Sequence, residues 1–255
     1  MPVALMRDDR GKSSPLAQDT RVLRTRAMKA PVGALLIGAA GRMGKMIVDL
    51  AKNDPNIDIV AQCDLGDAIE PAMKNSDVAI DFSHPDAIEG ICCAALQDRQ
   101  PLVIGTTGHS AEQRDTIEKA AKSLAIVFAS NFSVGVNALF SLTRSAAEML
   151  GREFDLEIIE THHRMKKDAP SGTAKTLAEV LRKARRIDEQ IPIKSIREGD
   201  VVGEHAVIFA GPDERLELFH KADSRAAFAR GALRAARWVI GKSPGLYSME
   251  DVLGL

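Results

Sequence analysis

A short apolar run, three evenly spaced glycines and then a helical pattern constrain this chain more than any other feature. The stretch reads Val32-Gly-Ala-Leu-Leu-Ile37-Gly38-Ala-Ala-Gly41-Arg42-Met43-Gly44-Lys45-Met46-Ile47-Val48. It predicts a strand, a tight turn and a helix, in which glycine lets the backbone approach a phosphate resting on the helix N-terminus. The spacing is G-x-x-G-x-x-G rather than the commoner G-x-G-x-x-G, so the glycines alone suit a structural turn as well as a phosphate cradle. A second strand candidate, Ile57 to Cys63, runs into Asp64, 20 residues past Gly44. An acid near that distance is what a ribose-hydroxyl contact requires, and the two features together point to a dinucleotide. Taken alone, Asp64 would serve equally as the turn acid of Asp-Leu-Gly-Asp.

The strand-and-helix alternation continues. Asp77 to Ser83 reads as strand and 85 to 98 as helix, with Ile88, Ile91, Cys92, Ala95 and Leu96 on one face. Pro101 to Gly108 reads as strand and turn, 110 to 123 as helix, and Ala125 to Phe128 as strand. Strands and helices at this spacing build a parallel, doubly wound α/β sheet of Rossmann type. Ligands of such sheets lie beyond the carboxyl ends of the strands, where Phe82-Ser83, Gly105-Thr106-Thr107 and Ala129-Ser-Asn131-Phe132 fall. The pattern then changes: a helix opens near Asn131 and is stopped by Gly151. Glu204 to Gly211 and Arg215 to His220 alternate about a short turn, which predicts an antiparallel hairpin. The second part is therefore expected to be an α+β domain with a mostly antiparallel open sheet. A final helix, at about 223–240, carries Arg225, Arg230, Arg234 and Arg237 toward solvent or another subunit. The expected division is 31–131 with 222–255 for the dinucleotide and 132–221 for substrate binding and oligomerisation. His205 and His220 read as sheet residues rather than ligands.

Residues 1 to about 30 mix charge with Ser, Pro and Gly without a period and read as a disordered N-terminal extension. They lack the apolar core of a secretory signal, and Asp8, Asp9 and Asp19 argue against a transit peptide. The simplest expectation is that translation starts at Met28, and that trimming to it changes neither activity nor stability. Over the whole chain, 34 basic residues balance 35 acidic ones, so no global field draws it to nucleic acid or anionic lipid. One Trp and one Tyr leave few platforms for stacking bases. No run of 18 apolar residues suggests a membrane span. Three cysteines, two of them adjacent, suit neither a disulfide framework nor a zinc site and imply a reducing cytoplasm. No metal is expected, and Cys92 and Cys93 read as core packing.

The densest chemistry lies in 157 to 174, Glu157-Ile-Ile-Glu160-Thr-His162-His163-Arg164-Met-Lys166-Lys167-Asp168-Ala-Pro170-Ser171-Gly172-Thr173-Ala174. The alternation before it predicts a half-buried strand, with the histidines just past its end on a loop. Ser171 is the expected N-cap of a helix whose apolar residues recur from Ala174 to Leu181. Free N–H groups at that helix start, beside Lys166 and a histidine, favour a carboxylate. Histidine moves protons near neutral pH, and lysine fixes negative groups or acts as an acid. The window reads as an anion clamp beside a proton donor.

This string resembles the signature of the 4-hydroxy-tetrahydrodipicolinate reductase (dihydrodipicolinate reductase) family, E-[IVA]-x-E-x-H-x-x-x-K-x-D-x-P-S-G-T-A. Every fixed position is filled, from Glu157 and Glu160 through His162, Lys166 and Asp168 to Ala174. The resemblance extends from about residue 32 to the end of the chain. It implies reduction of a cyclic imine dicarboxylate by NAD(P)H on the route to diaminopimelate and lysine, in a cytoplasmic homotetramer paired through the second sheet. It further implies His162 as proton donor and Lys166 as carboxylate grip or partner in that role. His163, Ser171, Gly172 and Thr173 would bind substrate carboxylates. Gly38, Gly41, Arg42, Met43, Gly44 and Asp64 would hold the cofactor. Gly105-Thr106-Thr107 and Ala129, Asn131 and Phe132 would lie along its nicotinamide half. Another Rossmann reductase of amino-acid metabolism, or a silent nucleotide sensor, are the rival readings.

The cofactor preference follows from charge. An acid after the second strand suits the ribose hydroxyl of NADH, whereas a 2′-phosphate needs a nearby cation. Asp64 is followed by Leu65, Gly66 and Asp67, with no Lys or Arg before Lys74, where NADPH-using relatives of the family often carry a basic residue. NADH is expected to be preferred and NADPH accepted, with Arg42 or Lys45 offsetting part of the phosphate charge.

Overall fold

The computed structural model describes residues 30–255. The expectations for the N-terminal extension and for Met28 lie outside the described residues. The first part runs β1 (Val32–Ile37), α1 (Arg42–Ala51), β2 (Ile57–Cys63), α2 (Glu70–Lys74), β3 (Val78–Asp81) and α3 (Ile88–Asp98). It continues through β4 (Leu102–Ile104), α4 (Ala111–Ala121) and β5 (Ala125–Phe128). Then follow α5 (Val134–Met149), β6 (Asp155–His162), α6 (Gly172–Arg185), β7 (Ile193–Arg197), β8 (Gly203–Ala210) and β9 (Arg215–Ala222). The chain ends in α7 (Ala226–Val239), β10 (Gly245–Tyr247) and α8 (Met249–Leu253).

Six strands form one sheet in the order β10-β5-β4-β3-β1-β2, every neighbouring pair parallel. β3 is buried at all four positions because helices cover both faces. α1 and α7 pack on one face through Ile47, Ala232 and Val239, and α3 and α4 cover the other through Ile91, Cys92 and Ile117. Each large aliphatic side chain buried there contributes about 1.5–3 kcal/mol of transfer free energy. β2 and β3 flank β1 on opposite sides, so the strand order reverses at β1 and opens a crevice past its carboxyl end. The glycine turn occupies that crevice.

The second sheet has the order β7-β6-β8-β9, with β6 parallel to β7 and the other two pairings antiparallel. The expected hairpin is β8 and β9, in unbroken register from Gly203 opposite Ala222 to Ala210 opposite Arg215. α5 and α6 cover one face through Leu139, Phe140, Leu177 and Leu181. The other face leaves Phe219 62 % exposed.

Several local expectations need correction. α5 begins at Val134 with Ser133 as its cap, the hydroxyl accepting from the Val136 N–H at 3.3 Å, so Asn131 lies before the helix. It ends because Leu150 turns to an extended ψ of 135°, one residue before Gly151, which is not left-handed. Leu96 and Cys93 are exposed, since in the last turns of α3 the buried side belongs to Ala94 and Ala95. Two of the final helix's arginines are engaged within the chain: Arg237 pairs with Asp54, and Arg225 turns toward the cleft described next.

Candidate active site

The glycine turn is built for close backbone approach. Gly38 has φ +85°, and a side chain on it would run into the backbone of Phe82 and Ser83. A Cβ on Gly44 would strike the Gly38 carbonyl and lie 2.6 Å from the Ala39 Cα. Gly41 caps α1 without a side-chain hydrogen bond, so the helix presents its first N–H groups with no side chain over them. That is the arrangement a pyrophosphate requires. Asp64, at the end of β2, accepts from the Ala40 N–H at 3.0 Å through either carboxylate oxygen, and Asp67 in turn accepts from the Asp64 N–H at 2.8 Å. The acid predicted from the sequence therefore rests against the turn and braces it.

The later loops at this edge are cross-tied. Thr106 is buried, its hydroxyl accepting from the Ser83 N–H at 2.9 Å, and the same N–H reaches Asp81 at 3.0 Å. Burial raises the Asp81 pKa above the usual carboxylate value, against the hydrogen bonds of Ser83 and Thr106. Asn131 donates its amide to the Thr173 hydroxyl at 3.1 Å, linking the loop after β5 to the start of α6. Phe132 is only 2 % exposed and packs on Phe82 with centroids 5.6 Å apart, so its side chain serves the core, as does that of Met43.

The sequence expectation placed both histidines on a loop, but His162 is the last residue of β6. The strand runs further because Thr161 pairs with Glu204 and His162 with Arg197 on the flanking strands. His163 follows, its N–H held by the Val201 carbonyl at 2.7 Å. Glu160 and His162, two apart on the strand, share a face. Glu160 is fully buried. Its Oε1 accepts from Arg197 Nη2 at 2.8 Å and from the Ser171 N–H at 3.3 Å. Its Oε2 accepts from Arg197 Nη1 at 3.0 Å and meets His162 Nδ1. Arg197 also donates to the Asp168 carbonyl at 2.6 Å. Burial alone would raise the Glu160 pKa; the hydrogen bonds from Arg197, Ser195 and His162 outweigh it and hold the group at about 2. Burial pulls the His162 pKa below its ordinary value, Glu160 resists, and Lys166 and Arg197 add to the fall.

Ser171 caps α6, accepting from the Ala174 N–H at 3.2 Å, and its hydroxyl lies 3.2 Å from His205 Nε2. Its side chain is thus committed to the scaffold. The N–H groups of Gly172 and Thr173 lack a side-chain cap, and the space over Gly172 is open. His205 packs edge-on to His162 at 5.2 Å, and burial, then the charge of His162, bring its pKa to about 3. Lys166 pairs with Asp168 at 2.8 Å.

A cleft of about 370 Å³ is lined by Arg42, His162, His163 and Lys166 together with Met165, Lys167, Asp168, Val202 and Arg225. Four fixed cations, Arg42, Lys166, Lys167 and Arg225, face one acid, Asp168, which favours an anionic ligand. Ser171, Gly172, Thr173, Asp64 and the loops after β4 and β5 lie outside this lining. Sequence reasoning gave no role to Glu160 or Arg197, read His205 as a sheet residue rather than a ligand, and turned Arg225 toward solvent or another subunit. The two-residue step from Glu160 to His162 was the available signal for the first. Arg197, His205 and Arg225 reach the site through pairings that no local pattern encodes.

Residues 32–132 match the family described as "Dihydrodipicolinate reductase, N-terminus", and residues 135–253 match "Dihydrodipicolinate reductase, C-terminus". A 4-hydroxy-tetrahydrodipicolinate reductase of Akkermansia muciniphila is 50 % identical over 242 residues, spanning 88 % of this chain and 98 % of that protein. One from Halorhodospira halophila is 39 % identical over 265 residues, spanning 88 % and 99 %. Among solved structures, a dipicolinate-bound dihydrodipicolinate reductase from Paenisporosarcina sp. TG-14 aligns with a TM-score of 0.72 at 24 % identity, covering 86 % of this chain and 97 % of that one. A probable dehydrogenase from Thermotoga maritima aligns at 0.60 and 10 % identity, covering 87 % and 92 %. These two likenesses speak for the fold alone. With both halves matched and half of the residues shared with a relative across nearly its whole length, the chain belongs to the dihydrodipicolinate reductase family.

Proposed function

We propose that the chain reduces 4-hydroxy-tetrahydrodipicolinate to tetrahydrodipicolinate at the cleft beside His162, with NADH as the preferred donor and NADPH accepted. Family membership makes it an NAD(P)H-dependent oxidoreductase of lysine and diaminopimelate biosynthesis. The observation that carries the site assignment is the cleft itself, where His162 stands among four cations, Lys166 one of them, and one acid. Two carboxylates on a small ring match that charge, and a neutral or cationic substrate does not.

In this reading Gly38, Gly41, Arg42, Met43 and Gly44 hold the pyrophosphate, Asp64 the adenosine ribose, and Gly105, Thr106, Thr107, Ala129, Asn131 and Phe132 the nicotinamide half. The bound dinucleotide supplies the hydride. The chain's own residues bind, orient and protonate. The uncapped N–H groups of Gly172 and Thr173 receive one carboxylate, and Ser171 holds that helix start in place through its cap. His163 and Lys166 hold the dicarboxylate, Lys166 leaving Asp168 to do so. The 4-hydroxyl leaves as water to give the dihydro ring, and His162 gives the proton that balances the hydride, so that two electrons and two hydrogens add across one double bond of that ring.

NADH preference is supported by the pair Asp64 and Asp67 at the end of β2, which a dianionic 2′-phosphate would meet at a cost on the order of 1 kcal/mol. Arg42 lines the cleft with His162, which leaves Lys45 as the nearby offset. The division into 31–131 with 222–255 and 132–221 belongs to the same proposal, supported by the two separate sheets and their cores. So does assembly as a homotetramer, supported by Phe219 on the face of the second sheet that α5 and α6 leave open. Among the described residues no helix is long and apolar enough to cross a membrane; placement in the cytoplasm is part of the proposal. The test is nicotinamide oxidation with the product of dihydrodipicolinate synthase and, separately, with aspartate semialdehyde alone. Turnover is expected only with the former; turnover of the semialdehyde alone would contradict the assignment.

A further inference from the structure

His162 does not stand alone on its strand. A fully buried carboxylate, Glu160, meets its Nδ1 from two residues away, and a guanidinium from the neighbouring strand grips both oxygens of that carboxylate. Arg197 is fixed in turn by the Asp168 carbonyl, and the Ser171 N–H closes the fourth side. A carboxylate pinned from β6, β7 and the start of α6 cannot follow the imidazole if it moves, so the imidazole must come to it. The other ring nitrogen, Nε2, lies over Gly203, where a Cβ would sit 3.2 Å away and where glycine leaves the edge uncovered.

We infer that Glu160, anchored by Arg197, is the positioning residue for His162: it holds the imidazole with Nδ1–H directed at Glu160, so that Nε2 is the nitrogen that carries and delivers the proton. This rests on the reading of His162 as proton donor. A hydrogen bond made by one ring nitrogen decides what the other can do. In the step, the Nε2–H bond breaks and the proton goes to the reduced ring. The imidazole becomes neutral, keeping its Nδ1–H on Glu160, and Glu160 itself takes no proton. The carboxylate is equipped for that passive role, since Arg197 and its other partners keep it ionised far below neutral pH. Across the reaction Glu160 therefore stabilises the charged donor, and Arg197 prevents the carboxylate from becoming the acid instead.

The charges around His162 set the sign. From its own strand Glu160 favours the imidazolium. Lys166, from the following loop, and Arg197, from β7, oppose it. His205, from β8, is neutral at working pH and adds no charge. Arg42 and Arg225, with Lys167 and Asp168, line the same cleft. Among the described residues Glu160 is the only carboxylate hydrogen-bonded to the imidazole, so removing it leaves His162 in a cleft whose four cations outweigh its one acid, Asp168.

The test is the pH profile of kcat for Glu160→Gln and for the double variant Glu160→Gln/Arg197→Met, which leaves no unpaired guanidinium in the core. A proton donor makes kcat fall as pH rises past its pKa. In both variants that fall is expected to move to lower pH by about one unit or more, with much of the lost rate recovered in acid and the KM for NADH unchanged. Arg197 acts on His162 less strongly than Glu160 does, so the double variant moves the same way. The midpoint of His162 carbethoxylation against pH, read by peptide mass spectrometry on the enzyme without substrates, is expected to move with it. A kcat lowered evenly at every pH, with the limb and the modification midpoint unmoved, would overturn the inference and leave Glu160 a structural role. His162→Gln separates the two readings. If it keeps the limb and the turnover, the donor assignment fails. If it removes both while the Glu160 variants leave the limb in place, only the present inference fails.

Discussion

His205 should make the protein acid-labile at pH values above the range in which an ordinary carboxylate titrates. It is 3 % exposed, and its pKa falls from 6.5 to about 3 through burial and the neighbouring His162. In the unfolded chain it takes up a proton below pH 6.5, whereas in the folded chain it stays neutral until far lower. The unfolded state therefore binds more protons between these values, and stability falls as pH falls through the window. At pH 5 the difference of 1.5 units from the unfolded value corresponds to about 2 kcal/mol, at 1.36 kcal/mol per unit. Glu160, held at about 2 against an ordinary 4.5, loses its contribution only as pH falls from 4.5, so a comparison made at pH 5 and above keeps the two contributions apart. The perturbation is His205→Gln, which is neutral throughout and can still accept from the Ser171 hydroxyl. Urea unfolding at pH 7.5 and pH 5 gives the slope for each protein. The variant should lose less stability on acidification than the parent, by about 2 kcal/mol. Equal losses in the two proteins would refute the argument. His109, His162 and His220 are also lowered by burial, so the parent's remaining slope should stay positive.

Three further outcomes follow from the geometry. Gly44→Ala places a methyl against the Gly38 carbonyl and should weaken NADH at least about tenfold, read by fluorescence titration, while the chain still folds. Ser171→Ala removes the α6 cap and the partner of His205, which should lower stability by about 2 kcal/mol in denaturant unfolding and raise the KM for the dicarboxylate. Steady-state kinetics with each cofactor at physiological salt should give the higher specificity constant for NADH; a clear advantage for NADPH would point to Arg42 or Lys45 as a phosphate ligand.

The glycine turn and the alternation of β1 to β5 with their helices are legible in the sequence because both are local patterns. Gly38 needs a left-handed backbone, Gly44 needs close approach, and each leaves a glycine at a fixed spacing. Ser171 as a cap is legible for the same reason. The end of β6 is not, since the strand's last two residues are held by Glu204 and Arg197, which are far along the chain. Nor is the clamp on Glu160, whose partner Arg197 is 37 residues away. The helix stripe of α3 misplaces Leu96 because periodicity says which residues share a face but not where the sheet beneath ends. The anion clamp shows in the basic string at 162 to 167, whereas Arg225 reaches it only because α7 packs beside α1.

The central claim, that the cleft beside β6 performs the reduction, is tested most directly by separating cofactor binding from turnover in Lys166→Ala and His162→Gln. Both residues line the cleft, and neither supports the glycine turn. The measurement is kcat at saturating NADH with the product of dihydrodipicolinate synthase, beside the Kd for NADH of the same preparations. Each variant should fold and bind NADH as the parent does while kcat falls by about 10²–10⁴. Parent-like turnover in either variant would contradict the role given to that residue, and parent-like turnover in both would move the active site elsewhere.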